Sequence, residues 1–199
     1  MNYYSSDLMR WTFDDAEDQN SKAVKVAKRY CEKFSEMKEN SIGIRLHGEV
    51  GTGKTFLASC IGNELISHGY FVAFIDFLSF IRKMIDYSAN VAEINNYLSA
   101  QVLIVDDVDL ISLNSVEQSA CFRLFNSRMQ DYFVTIITTN ITSADLLSTS
   151  ETESLNLKRI KSRIRELCSI GVVLTGDDKR KTIGKQKLEI AQEILKGAE

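Results

Sequence analysis

The stretch that decides the fold is Gly48-Glu49-Val50-Gly51-Thr52-Gly53-Lys54-Thr55, which fits the pattern G-x-x-x-x-G-K-[ST]. A short apolar run at residues 42–47 precedes it, and residues 54–68 have a helical pattern. In such a loop the glycines let backbone N–H groups turn toward phosphate oxygens, while the lysine adds a cation and the hydroxyl binds Mg²⁺. The alternative is a glycine-rich turn that binds no ligand. The predicted phosphate-binding residues are Gly48, Glu49, Val50, Gly51, Thr52, Gly53, Lys54, Thr55 and Phe56.

A second acidic motif follows at residues 102–107, with the sequence Val-Leu-Ile-Val-Asp-Asp. An apolar buried strand that ends in acids delivers them to the sheet edge where phosphates bind, as a Walker B strand does. We expect Asp106 and Thr55 to hold Mg²⁺, and Asp107 to orient and deprotonate the attacking water. Two solvated turn acids are the alternative.

Two further polar features, an asparagine at a strand end and a pair of arginines, are candidates for catalysis. Asn140 ends the strand at residues 135–139, where an amide can hold the attacking water, although a helix N-cap or turn asparagine fits its spacing equally well. Arg159 and Arg163 lie four residues apart on one helical face. A solvated basic face is the alternative for this pair.

The periodicity along the chain predicts an α/β protein. Compact apolar segments at 42–47, 70–75, 102–105, 133–139 and 170–174 are strands, and helix-length segments separate them. A helix is predicted from Asn20, with one face formed by residues 23, 27, 30, 34 and 37. Residues 77–99 are predicted to form a helix that is broken at 88–90. Strands that are apolar throughout indicate a parallel sheet covered by helices on both faces.

Composition excludes several classes of protein. The 199 residues suit one domain, and the formal charge of −3 is not that of a polybasic nucleic-acid binder. No apolar run reaches membrane-spanning length, so a cytoplasmic protein is expected. The four cysteines form no CxxC pair and are predicted to be buried free thiols.

The sequence also predicts two less regular regions. Residues 1–19 mix aromatic and acidic side chains without a steady period, which is typical of an arm or linker. In the broken helical region Phe80, Arg82, Lys83 and Tyr87 combine aromatic and basic side chains, as a contact for single-stranded DNA would. A helix packed in the core is the favoured alternative.

The order of these motifs resembles the AAA+ ATPases, and more narrowly the DnaC/DnaI-type replicative helicase loaders together with the IstB-like ATP-binding proteins. The resemblance covers roughly residues 12–182. It rests on Thr12 to Asp15, the glycine-rich motif extended to Ala58, residues 104–107, residues 138–140, the arginine-rich box 159–163 and residues 175–180.

The resemblance implies the sheet order 5-1-4-3-2 and little or no separate lid domain. It implies that Asn140 senses the nucleotide, that Arg163 is an arginine finger acting on a neighbouring subunit, and that Arg180 lies near the γ-phosphate. It divides the chain into an arm at 1–19, an ATPase core at 20–182 and a helical tail at 183–199. Residues 158–187 carry ten basic and three acidic side chains, which makes the edge bearing Arg163 electropositive.

The function implied is that of an ATP-hydrolysing helicase loader in replication initiation, which assembles with its own copies on a ring helicase and single-stranded DNA. ATP or ADP and Mg²⁺ are the implied cofactors. The family's helicase-docking segment normally precedes the core, so the chain is either a fragment or a short homologue. A transposition helper ATPase and a nucleotide-binding module without turnover are the alternatives.

Overall fold

The computed structural model describes residues 10–86, 88, 90–148 and 150–196, apart from the side chains of residues 180–183 and 186. The strands are β1 (Ile44–Gly48), β2 (Val72–Asp76), β3 (Val102–Val108), β4 (Val134–Thr139) and β5 (Ile170–Leu174). A 3-10 turn at Phe13–Asp15 precedes the helices α1 (Lys22–Glu32), α2 (Phe34–Glu39), α3 (Lys54–Ser67), α4 (Phe77–Ile85), α5 (Val91–Leu98), α6 (Ser115–Gln130), α7 (Ser143–Leu147), α8 (Leu155–Leu167) and α9 (Lys179–Leu195).

The five strands form one parallel sheet in the order β2-β3-β4-β1-β5. This confirms the predicted order 5-1-4-3-2. Because all strands run the same way, the residues that follow β1, β3 and β4 meet at one edge of the sheet. The phosphate-binding motif lies at the end of β1, the two Walker B acids lie near the carboxyl end of β3, and Asn140 follows β4.

Two apolar cores lie on the two faces of the sheet. One includes Leu103 and Val105 of β3 with Phe77, Phe125 and Ile164 from α4, α6 and α8. The other includes side chains of α1 and α3, so helices cover both faces as the apolar strands predicted. The predicted free thiols, Cys31, Cys60, Cys121 and Cys168, are all buried and unpaired.

Two predicted elements differ from the observed ones, and a third is confirmed. The first helix is interrupted at Lys33 and forms α1 and α2, although its predicted apolar face still packs inward. Strand β3 extends to Val108 and therefore includes both Asp106 and Asp107. The break in residues 77–99 is confirmed, since α4 ends at Ile85 and α5 begins at Val91.

The ends of the described chain pack differently. Residues 11–16 lie on the sheet core: Phe13 is buried, Cys60 Sγ donates a hydrogen bond to the Thr12 carbonyl at 3.1 Å, and Asn63 Nδ2 donates to the Trp11 carbonyl at 2.7 Å. Helix α9 instead exposes the described side chains along its length. No helix formed by the described residues is long and apolar enough to cross a membrane.

Candidate nucleotide site

The phosphate-binding loop joins β1 to the N-terminus of α3. Gly51 and Gly53 have φ angles of +80° and +91°, which favour glycine over residues with a side chain. A Cβ on Gly51 would also lie 1.8 Å from Asp178 Oδ1 and 2.9 Å from Asp178 Cα. The Lys179 N–H donates to the Gly51 carbonyl at 3.1 Å. The loop therefore packs closely against the start of α9 as well as against its own helix.

Lys54 begins α3 and is buried, with its ammonium group held inside the loop. Its Nζ donates to the carbonyl oxygens of Gly48 at 2.9 Å and Glu49 at 2.7 Å. Thr52 Oγ1 donates to the same Glu49 carbonyl at 2.9 Å. These bonds place a cation at the N-terminus of a helix, where the helix dipole and free N–H groups also favour anions.

Thr55 and Asp106 meet across the sheet edge, although 51 positions separate them in the sequence. Thr55 Oγ1 donates to Asp106 Oδ1 at 2.9 Å, and Thr138 Oγ1 donates to the same oxygen at 2.5 Å. The sheet order accounts for these contacts, because β3 and β1 are both neighbours of β4 and all three strands end at one edge. The arrangement collects a carboxylate and a hydroxyl oxygen beside the loop, and Mg²⁺ prefers such ligands.

Burial raises the pKa of the Asp106 carboxyl above its ordinary value. Hydrogen bonds from Thr138 and Thr55 act in the opposite direction, and the charges of Asp107 and Asp76 raise the pKa further. A carboxylate surrounded in this way gains most from a nearby cation, because the cation offsets both its burial and the two acidic neighbours.

Asp107 adopts a left-handed backbone conformation with a φ of +56°. The pairing of β3 with β4 shifts register between Val105 and Val108, which places Asp107 in the irregular part of the strand. Its N–H donates to Thr138 Oγ1 at 2.9 Å, and its side chain is exposed toward the cavity. The irregularity thus turns two successive acids in different directions, one toward Thr55 and one toward the cavity.

A cavity of about 480 Å³ is lined by predicted site residues from the ends of β1, β3 and β4. The predicted residues Gly48, Glu49 and Thr52 line a neighbouring cavity instead. Among the residues lining it are Lys54, Thr55, Asp106, Asp107 and Asn140. The N-cap of α7 is Thr142, whose side chain accepts from the Asp145 N–H, so Asn140 does not cap that helix. The amide of Asn140 is instead exposed at the strand end beside the two acids.

Sequence reasoning missed several walls of this cavity, namely Trp11, Asp15, Glu17, Asp76, Thr138 and Lys179. The ring of Trp11 packs on Phe56 with centroids 5.7 Å apart. Lys179 Nζ lies 2.7 Å from Glu17 Oε2, so the arm and α9 meet on one side of the cavity. Asp15, Thr138 and Lys179 belong to motifs that carry the family resemblance, but no pattern in the sequence places their side chains in this cavity.

The glycine-rich loop, the two acids and the sheet order together point to a P-loop ATP-binding domain. The family described as IstB-like ATP binding protein matches residues 4–185. This chain belongs to that family. Its fold is that of the AAA+ P-loop NTPases, and the crystal structure of DnaI shares it with a TM-score of 0.73 at 23% identity, covering 88% of this chain and 94% of that one.

Two curated relatives resemble this IstB-like chain over shorter stretches. The replicative helicase loader DnaC of Buchnera aphidicola subsp. Schizaphis graminum is 35% identical over 99 residues, which cover 47% of this chain and 39% of the relative. The insertion sequence IS21 putative ATP-binding protein of Pseudomonas aeruginosa is 28% identical over 158 residues, which cover 70% and 58% of the two chains. The match thus spans less than two thirds of either relative.

Arg163 lies away from the cavity of its own IstB-like domain. It is half-buried on α8, and its Nη1 lies 3.3 Å from Glu166 Oε2. Its Nε is buried and has no hydrogen-bond partner among the described residues. Arg159, one turn earlier, is exposed. The side chain of Arg180, the other predicted nucleotide contact, lies outside the described residues.

The residues considered for a DNA contact have different environments. Phe80 is buried in the core and packs edge-on against Tyr97 with ring centroids 5.4 Å apart. This agrees with the favoured interpretation as a core helix rather than with stacking of Phe80 on a base. Arg82 Nε lies 3.6 Å from Glu117 Oε1, and Lys83 pairs with Glu93. Tyr87 lies outside the described residues. Helix α4 is therefore a core helix with ion pairs on its surface.

Proposed function

We propose that this protein is a Mg²⁺-dependent ATPase that acts as a helicase loader in replication initiation. The contact between the Thr55 hydroxyl and the Asp106 carboxylate at 2.9 Å carries the proposal, because it joins the phosphate loop to the Walker B strand. A glycine-rich turn without a ligand would not require a buried lysine, a hydroxyl and a carboxylate to converge on one cavity.

The donors of this site fit the cofactors that the family implies. Hydroxyl and carboxylate oxygens from Thr55 and Asp106 would hold Mg²⁺, which supplies charge neutralisation at the β- and γ-phosphates. The N–H groups of residues 48–56 would bind the phosphate oxygens, with Lys54 as the cation among them. Trp11 and Phe56 form an apolar wall of the same cavity.

Asp107 is the proposed general base. Its carboxylate accepts a proton from water as the water oxygen bonds to the γ-phosphorus, and the bond from that phosphorus to the ADP oxygen breaks. Asn140, exposed at the neighbouring strand end, would orient the same water through its amide. The environments of the two carboxylates support this division of roles, because that of Asp106 accepts from Thr55 and Thr138, whereas Asp107 is exposed at the cavity.

Arg163 is proposed to complete the site of a neighbouring copy. Its position on α8, outside the cavity of its own chain, supports a role in trans. An arginine supplied in this way neutralises charge that develops on the transferred phosphoryl group. Arg180, at the start of α9, is proposed to sense the γ-phosphate. Hydrolysis by the isolated monomer is then expected to be slow.

The proposed partners are a replicative ring helicase, single-stranded DNA and further copies of this chain in the cytoplasm. The similarity to a replicative helicase loader supports this assignment. A transposition helper is the second candidate, because the IS21 protein is similar over 70% of this chain. The loader function predicts retention of the host helicase in a pull-down, whereas the transposition function predicts retention of a transposase.

Nucleotide binding is tested by Lys54→Ala, with Lys33→Ala as a control that removes a half-buried lysine outside the cavity. Titration calorimetry with Mg·ATP should show tight binding by the parent and the control, and its loss in Lys54→Ala. Unchanged affinity would contradict the site. Release of phosphate by the parent, measured with and without single-stranded DNA, separates an ATPase from a module without turnover.

The role of Arg163 is tested by mixing variants. Arg163→Ala should bind ATP normally but turn over roughly 10³ to 10⁵ times more slowly in assemblies, because the neighbouring site loses its finger. Adding Lys54→Ala subunits, which retain Arg163, should restore turnover. Arg159→Ala is the matched control one turn away on α8. A purely structural Arg163 would lower thermal stability and give no recovery at any mixing ratio.

A further inference from the structure

Asp76 is an acid of the nucleotide cavity to which the proposed mechanism assigns no role. It is the last residue of β2 and lines the same cavity as Thr55, Asp106 and Asp107. Strands β2 and β3 pair in parallel, and Asp76 lies in register with Asp106. The two backbones are therefore about 4.8 Å apart at this point. The charge of Asp76 raises the pKa of the Asp106 carboxyl, so the two groups act on each other.

Helix α4 fixes the orientation of the Asp76 carboxylate. Asp76 is the N-cap of α4, and its Oδ1 accepts a hydrogen bond from the Ser79 N–H at 3.0 Å. This bond accounts for one of the two carboxylate oxygens, and Asp76 forms no ion pair among the described residues. The side chain is exposed and lines the cavity. Its second oxygen is therefore available to water or an ion in that cavity.

The helix cap alone does not require an acid at this position. Asparagine, aspartate and serine are about equally effective as N-caps. An acid adds a third negative charge to a cavity that already contains Asp106 and Asp107, and like charges in one site disfavour each other unless a cation is bound among them. The dipole of α4 also favours a negative charge at its N-terminus, which is the alternative explanation that an experiment has to separate.

We propose that Asp76 is an outer acid of the Mg²⁺ site, which attracts the ion by its charge and accepts hydrogen bonds from water that the ion retains. Mg²⁺ gives up its water reluctantly and is usually bound by one or two carboxylates together with phosphate oxygens. Thr55 and Asp106 bind the ion directly, and Asp76 is a positioning residue that acts through the water. This role rests on the nucleotide site proposed above and adds a residue to it.

A charge at this position has two effects of opposite sign. It strengthens the binding of Mg²⁺ together with ATP, and it weakens the binding of ATP without Mg²⁺, because the unneutralised phosphates repel it. A residue that only caps α4 would change both affinities in the same direction, through the stability of the fold. Comparison of the two affinities therefore separates the charge of Asp76 from its capping role.

Asp76→Asn removes the charge and keeps the cap. Titration calorimetry with ATP over a series of Mg²⁺ concentrations should show that the variant needs roughly tenfold more Mg²⁺ than the parent for half-maximal binding. In EDTA the same variant should bind ATP more tightly than the parent. Asp86→Asn is the matched control at the other end of α4, because Asp86 Oδ1 also accepts a backbone hydrogen bond, from the Ser88 N–H at 2.8 Å. The control should bind as the parent does in both conditions.

Asp76→Ala removes the cap as well as the charge. It should melt at a lower temperature than Asp76→Asn but need the same excess of Mg²⁺. An unchanged Mg²⁺ requirement in Asp76→Asn would overturn the proposal, and so would an equal loss of ATP affinity with and without Mg²⁺. If the parent still shows Mg²⁺-dependent binding that Thr55→Ala abolishes, this failure leaves the nucleotide site intact. Parent binding that does not depend on Mg²⁺ would contradict the proposed function and the role of Asp76 together.

Discussion

Strands β3 and β4 carry a polar cluster at each end, and the two clusters are built differently. At the carboxyl ends Thr138 contacts both Asp106 and the backbone of Asp107, which has a φ of +56°. At the amino ends the guanidinium of Arg128 is fully buried. One cluster is open and has a strained backbone, whereas the other is closed.

In the closed cluster the buried guanidinium of Arg128 donates hydrogen bonds to backbone carbonyl oxygens. Arg128 donates to the carbonyls of Leu98 at 2.7 Å and Ala100 at 2.5 Å, and also to the carbonyl of Val134. Its Nε donates to Thr135 Oγ1 at 3.3 Å. Burial lowers the pKa of Arg128 to about 9, which leaves the group charged at neutral pH. This cation joins the chain before β3 to the start of β4.

A structural polar cluster thus differs from a reactive one in how deeply its side chains are buried and in how many of their hydrogen bonds are made within the protein. Both clusters are polar. Arg128 donates four hydrogen bonds to neighbouring acceptors and is fully buried. Asp107 keeps its carboxylate exposed and adopts a backbone conformation that costs about 1 kcal/mol or more. Substitutions at the two ends should therefore affect different properties.

The largest effect is expected from Asp107→Asn at the open end. Loss of a general base should lower turnover by roughly 10² to 10⁴, or about 3 to 5 kcal/mol of barrier, with Mg·ATP binding nearly unchanged. Single-turnover kinetics and titration calorimetry measure the two quantities. If Asp106→Asn proved harmless while Asp107→Asn abolished metal binding, the two roles would be reversed.

Arg128→Met should affect stability at the closed end. The variant keeps an apolar stem but removes the donors to three carbonyls, and we expect the free energy of unfolding to fall by about 3 kcal/mol. Urea denaturation measures this loss. ATP turnover per folded molecule should stay close to that of the parent, and a selective loss of turnover would show that the two ends are coupled.

Thr138→Val and Thr135→Val make the same change at opposite ends of β4, one in the open cluster and one in the closed cluster. Thr138→Val leaves the Asp107 N–H without its acceptor, which should cost about 1 to 2 kcal/mol of stability and also lower turnover. Thr135→Val removes an acceptor of Arg128 and should lower stability alone. Equal turnover in both variants would argue against a positioning role for Thr138.

The smallest effect is expected from relief of backbone strain. Asp107→Gly should raise stability by about 0.5 to 1 kcal/mol, because glycine adopts positive φ without a steric penalty, and it should abolish turnover. Tyr132→Gly is the matched control, since exposed Tyr132 also has a φ of +56°. This control should gain stability without losing turnover. Thermal melts that show no gain in either variant would contradict the conclusion that the positive φ of Asp107 costs stability.

The sequence predicted the parts of the molecule that local patterns encode. The strand order followed from the resemblance, and the alternation of apolar strands with helices predicted the covered parallel sheet. Residues 48–55 and 102–107 predicted the loop and the acids because their chemistry depends on adjacent residues. The catalytic roles of Asp107, Asn140 and Arg163 stay predictions. The broken helix at 77–99 was predicted, and the burial of Phe80 agrees with the favoured core helix.

Contacts between distant segments were decided by the tertiary structure. No local pattern places Trp11 on Phe56, or Lys179 beside Glu17, because each contact joins segments far apart in the chain. The left-handed turn at Asp107 depends on a register shift against β4, which exists only once the strands pair. The sequence alone thus determined which residues can bind phosphate and metal, since that depends on side-chain chemistry. The fold decided which of them are buried, strained or exposed, since that depends on the neighbours that packing supplies.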